Sequence, residues 1–217
     1  MNDGTASLIW QATRETLMMV GVAMAVTIPL GLALGVLLLI TGRGQILEQP
    51  LANRAIAAVV NVGRSVPFII LLVAVIPLTR ALVGTTIGTT AAIVPLALGT
   101  IPFFARIVET ALREVPGGLV EAALAAGARR REVVTKVLIP EALPSLVAGV
   151  TITTIGVLGY SAMAGAVGGG GLGDVAIRYG YQRYETDVTI ATVVVLVVLV
   201  QLLQFAGDRL ARRLSHT

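Results

Sequence analysis

The chain has 217 residues, of which 56% are hydrophobic and only 13% charged, with a mean hydropathy of +0.90. A soluble domain carries about 25% charged residues, so too little polar surface is present for one. The net charge of +4 on so apolar a chain is first a matter of membrane topology, not of nucleic acid. Cysteine is absent and the single histidine, His216, is next to last. That excludes a disulfide framework and leaves transition metals almost no ligands, so no metal site is expected.

Several runs exceed the roughly 18 apolar residues that mark a bilayer-crossing helix, and the length accommodates about five crossings. The first is expected over residues 17–40, retained rather than cleaved as a leader, and ends at Thr41-Gly42-Arg43-Gly44. Gly31 and Gly35 within it form a small-xxx-small pair suited to close helix contact. The second is expected over 65–83, because Arg64 belongs at the aqueous boundary and Pro67 in a first turn. The third covers 89–110, where Arg106 and Glu109 stand at helical pairing distance. The fourth covers 143–167 and ends in a glycine run at 168–173, read as a flexible or re-entrant break. The fifth covers 187–205.

Five crossings put the termini on opposite sides. Twelve of the 16 Lys and Arg residues then gather on one side, which the positive-inside bias makes cytoplasmic. The N-terminus is expected outside, and the C-terminus and the 116–140 segment inside. Glu109, Glu114 and Glu121 fall on the cytoplasmic side, and no strongly buried carboxylate is expected.

Residues 121–140, EAALAAGARRREVVTKVLIP, form a polar hairpin of two short helical segments between apolar runs. Pro116 is placed as a first helical residue, Gly127 breaks the first segment, and Pro140 ends the second. Ala122, Ala123, Ala125 and Ala126 make a small-sided face that another protein can approach closely. An incidental solvated loop is the competing reading, but it leaves the alanine face, the acid and the glycine unexplained.

The spacing resembles the E-A-A-x3-G-x9-I-x-L-P pattern of permease subunits of type I bacterial ABC importers. Glu121, Ala122, Ala123, Gly127 and Pro140 match it, while Val137 and Ile139 stand where the family has Ile and Leu. Almost the whole chain is similar to the methionine importer permeases within that family. That similarity is carried by Arg64-Ser65-Val66-Pro67-Phe68, Glu141-Ala142-Leu143-Pro144, Gly159-Tyr160-Ser161-Ala162-Met163 and Gln204-Phe205-Ala206-Gly207-Asp208-Arg209.

The resemblance implies an all-α membrane protein with one permease domain over 1–217 (core 12–205), in the bacterial inner membrane. It further implies a cytoplasmic coupling helix that seats on a separate ATPase. The partners are then two such ATPases, an extracytoplasmic methionine-binding protein or lipoprotein, and a second copy of the chain. ATP and Mg are handled by the ATPase, the chain binding no cofactor and being no enzyme itself. Consistently, no G-x4-G-K-[ST] phosphate loop occurs.

Five helices are few to enclose an amino acid, so a two-fold pair with its pathway on the axis is expected. Tyr160, Ser161 and Met163 are the candidate pore or gate residues, Met163 for its adaptable thioether. Helix-packing filler is the competing reading of Met163, and Thr151, Thr153 and Thr154 are expected to bond within their own helix. Importing another small amino acid or an osmolyte is the alternative within the class. An ion-coupled secondary transporter, or a scaffold without transport, are the alternatives outside it.

Overall fold

A computed structural model describes residues 3–215; His216 lies outside them. The described residues are helical with no strand. The helices are α1 Asp3–Ile40, α2 Pro50–Ser65, α3 Phe68–Ala74, α4 Ile76–Val83 and α5 Thr89–Arg113. Then follow α6 Gly117–Ala125, α7 Arg130–Glu132, α8 Ile139–Glu141, α9 Leu143–Ala164, α10 Gly171–Val175 and α11 Thr186–Leu214. Among the described residues, four helices are long and apolar enough to cross a bilayer, or five if α2 and α3 count as one broken span.

Two expectations are corrected here. The first helix begins at Asp3 rather than Leu17, because residues 3–16 form an amphipathic extension. Ile9 and Ala12 on this extension are buried with Leu172, Val175 and Val188; its polar residues hid it from a search for apolar runs. The expected 65–83 span is not one helix. Pro67 caps α3 from outside, and α3 ends before Pro77, which lies in the first turn of α4. A proline there has no N–H to give and its ring collides with the carbonyl four residues back, so the helix restarts.

The chain divides into two compact units. One comprises Met1–Val26, Val66–Thr100 and Thr154–Gln204; the other comprises Thr27–Ser65, Ile101–Thr153 and Phe205–Thr217. The four long helices α1, α5, α9 and α11 each lend their two parts to different units.

In the second unit, Phe104, Val108 and Leu112 of α5 are buried with Leu39 of α1, and with Val133, Leu138, Ala142 and Leu146. Gly31 and Gly35 serve this packing within the chain. A Cβ at Gly31 would lie 2.7 Å from Phe104 Cδ1, and one at Gly35 would lie 2.6 Å from the Ala105 carbonyl oxygen. The small-xxx-small pair is thus spent on α5 of the same chain. In the first unit, Glu15 and Thr16 of α1 hold the glycine break, as described below. The membrane-facing chemistry is plainest on α11, whose Val193, Val194, Val197, Val198 and Leu202 are all exposed.

Candidate functional site: the 116–140 hairpin

Pro116 sits just before α6 as its cap residue, not as its first helical residue (φ −56°, ψ 125°). The helix it starts has no buried residue. Glu121, Ala122, Ala125 and Ala126 are exposed, Ala123 is half-buried, and Leu119 and Leu124 are exposed as well. Only Val120 and Ala123 lean on the core. A helix that keeps two leucines and two alanines in the open, with a third alanine at its cap, presents apolar surface to something outside the chain.

The end of α6 is built by Gly127, whose φ of +83° is one that residues bearing a Cβ rarely adopt. Its N–H donates to the Leu124 carbonyl and the Ala128 N–H to that of Ala123, both at 3.0 Å. This pairing is the Schellman arrangement, which satisfies the last carbonyls of a helix. A Cβ at Gly127 would meet nothing within 4 Å, so backbone conformation, not space inside the chain, calls for glycine.

The returning arm is anchored where α6 is bare. The Arg129 N–H donates to Glu132 at 2.9 Å, and Lys136 Nζ donates to the same carboxylate at 3.0 Å. The backbone hydrogen bond, then the Lys136 hydrogen bond and charge, hold the Glu132 carboxyl below its ordinary value. Val133 and Leu138 are buried in the core, so one arm is fastened and the other is offered.

Pro140 does not end this arm, contrary to expectation. A π-helical segment, Val133–Leu138, leads into α8, and Ala142 N–H still reaches the Leu138 carbonyl at 3.1 Å. The wider π turns accommodate a proline, whose missing N–H an ordinary α-helical ladder would lack.

Near the base of the hairpin, Glu109 is 4% exposed, which corrects the expectation of no strongly buried carboxylate. It accepts from Arg106 at 2.5 Å and from Arg113 at 2.6 Å, and Arg106 also donates to Asn61 at 2.7 Å. Its carboxylate is thus clamped between two guanidiniums in one ion cluster. The Arg106–Glu109 pair was legible from spacing; the Arg113 and Asn61 partners were not.

The three pore candidates stand in different surroundings. Tyr160 stacks on Phe68 with ring centroids 4.6 Å apart. Ser161 is buried and donates to the Leu158 carbonyl at 2.7 Å. Met163 is 49% exposed, the most open of the three. Thr151 and Thr153 donate to Val147 and Gly149 carbonyls of their own helix, as expected.

Just beyond lies an element that sequence reasoning placed but did not explain. Gly168, Gly170 and Gly171 take φ of +87°, +77° and +75°. The Gly171 N–H donates to Glu15 and the Leu172 N–H to Thr16 Oγ1, each at 2.9 Å. The Gly88 N–H reaches the Gly168 carbonyl at 2.8 Å. The break is therefore fastened, not flexible. An acid and a hydroxyl side by side at the start of an apolar helix were the available signal for it.

Residues 27–216 match the family described as binding-protein-dependent transport system inner membrane component. A probable D-methionine transport system permease protein of Vibrio cholerae is 57% identical over 211 residues, 97% of this chain and 94% of that one. A methionine import system permease protein of Bacillus subtilis is 44% identical, covering 92% and 90%. A chain of a methionine ABC transporter solved in inward-facing conformations is 50% identical over 100% of both chains, with a TM-score of 0.98. The chain belongs to the family of binding-protein-dependent transport system inner membrane components.

Proposed function

We propose that this chain is the membrane-spanning permease subunit of an ATP-driven importer of methionine. The carrying observation is α6: a helix with no buried residue, closed by Gly127 and held out by a fastened return arm. Identity of 57% to a D-methionine transport permease protein and 50% to a methionine ABC transporter chain supports the substrate.

In this reading two copies pair about a two-fold axis and enclose the pathway. Each copy seats α6 on one cytoplasmic ATPase, with Glu121, Ala122, Ala123 and Gly127 shaping the contact and Pro140 in the return arm. ATP-driven closure of the ATPases draws the hairpins together and opens the pathway outward; release of the hydrolysis products returns it inward. This alternation needs two populated states that the ligands favour differently. ATP and Mg act on the ATPase, and this subunit contributes no hydrolytic chemistry. An extracytoplasmic binding protein delivers substrate to the side where Arg80, Asp174, Arg178 and Arg183 lie, with the N-terminus outside and the C-terminus in the cytoplasm. Met163, half-exposed in one copy, meets its counterpart near the axis and closes the gap by rotamer change, with Tyr160 behind it; Ser161 shapes that stretch from within the helix.

Uptake of labelled methionine by cells lacking this chain tests the reading. Uptake falls to background, and returns only when chain and ATPase are both supplied. Undiminished uptake in the deletion, or restoration without the ATPase, overturns it.

A further inference from the structure

The second unit holds a hollow of about 400 Å³ between the end of α2, α5 and α9. That is within the range of small-molecule sites, and its lining is divided by chemistry. Phe103, Ile107 and Ile152 supply apolar wall, while Arg64, Glu114 and Ser145 border it with charge and a hydroxyl.

The charges are not equally committed. Arg106, which also borders the hollow, is engaged by Glu109 and Asn61. The Arg64 guanidinium has no ion pair or hydrogen bond among the described residues. Glu114 accepts a single hydrogen bond from Ser145 at 3.1 Å, which leaves its other oxygen able to accept. An unpaired cation and an underused carboxylate at one apolar hollow are complementary to a zwitterion with an apolar side chain.

We propose that this hollow is a way station for the transported amino acid, with Arg64 taking its carboxylate, Glu114 its ammonium, and Phe103, Ile107 and Ile152 its side chain. The proposal rests on the import reading and adds to it a substrate-contacting site on the permease itself. Arg64 is a bidentate donor suited to a carboxylate. Glu114 stays oriented by Ser145 while it receives the ammonium. A site of this kind is weak by design, because a solute that moves on must not be held tightly.

The test is binding of labelled L-methionine to the purified permease–ATPase complex without nucleotide or binding protein. Saturable binding is expected. Unlabelled L-methioninol, which lacks the carboxylate, and 4-(methylthio)butyrate, which lacks the ammonium, each compete about tenfold or more less well than methionine, since each leaves a charged site group unpaired. Arg64→Ala weakens binding by about tenfold and Arg64→Lys by less, with recovery of intact complex as the folding check. Equal competition by either analogue overturns the assignment without recourse to any variant, as does unweakened binding by Arg64→Ala. Absence of saturable amino-acid binding to a complex that still imports methionine removes the site and leaves the import reading standing. Saturable binding of another apolar amino acid in place of methionine keeps the site and removes the methionine assignment.

Discussion

The 116–140 hairpin and the glycine break are both rich in small residues, yet they use them in opposite ways. At α6 and its end, Ala122, Ala125, Ala126 and Gly127 are exposed, and a Cβ at Gly127 meets nothing within 4 Å. At the break, a Cβ on Gly165 would fall on the backbone of Gly173 and Asp174, and one on Gly173 on the backbone of Ala162. One region leaves room for another protein; the other is filled by the chain's own backbone. Small residues alone do not distinguish docking from packing. What surrounds them does.

If that contrast is right, substitutions at the break damage the fold, and those at the hairpin spare the fold while stopping transport. The largest effect is expected from Gly173→Ala, which sets a methyl on backbone that cannot give way. A loss of about 3 kcal/mol or more is expected, read as failure to recover a monodisperse complex in detergent. Thr16→Val comes next. It removes the acceptor of the buried Leu172 N–H without changing volume, a loss of about 1–3 kcal/mol visible in the melting temperature.

Gly127→Val forces a branched residue to φ +83° and costs about 1–2 kcal/mol, yet its effect on methionine uptake is near-complete loss. Glu121→Lys changes stability by less than about 0.5 kcal/mol but weakens co-purification with the ATPase. A Gly127 or Glu121 variant that imports normally breaks the contrast from the hairpin side. A Gly173→Ala protein as stable as the parent breaks it from the other.

The smallest effect concerns the fastened arm. Because the Glu132 carboxyl titrates below its ordinary 4.5, its contribution is complete above that value and lost as the pH falls through the lower, folded value. The protection factor of the Val133 amide, which is free of the intrinsic pH dependence of exchange, should therefore fall only below about pH 4.5. A protection factor that already falls near neutrality contradicts the assignment.

Much of this was legible from the residues. The apolar runs gave the long helices, since Thr89, Leu143 and Thr186 lie within a residue of the expected starts. The Glu121–Gly127 spacing gave the bare helix. The failures share a cause: contacts between residues far apart in sequence. Glu15 and Gly171 are 156 positions apart, so nothing local announces that an acid in α1 fixes a glycine in the break. Pro140 misled for a related reason. A proline is a helix breaker by default, but Leu138 and Ala142 bury themselves on both sides of it, and tertiary packing carries the helical path across. The Asn61–Arg106 bond joins two helices in the same hidden manner.

The absence of cysteine makes one measurement cleaner than any other. Ala122→Cys places the sole thiol on the exposed side of α6. The account predicts that in intact cells it crosslinks to the ATPase and stays untouched by an impermeant maleimide added outside. Labelling from outside, or a thiol that finds no ATPase within crosslinker reach, contradicts it.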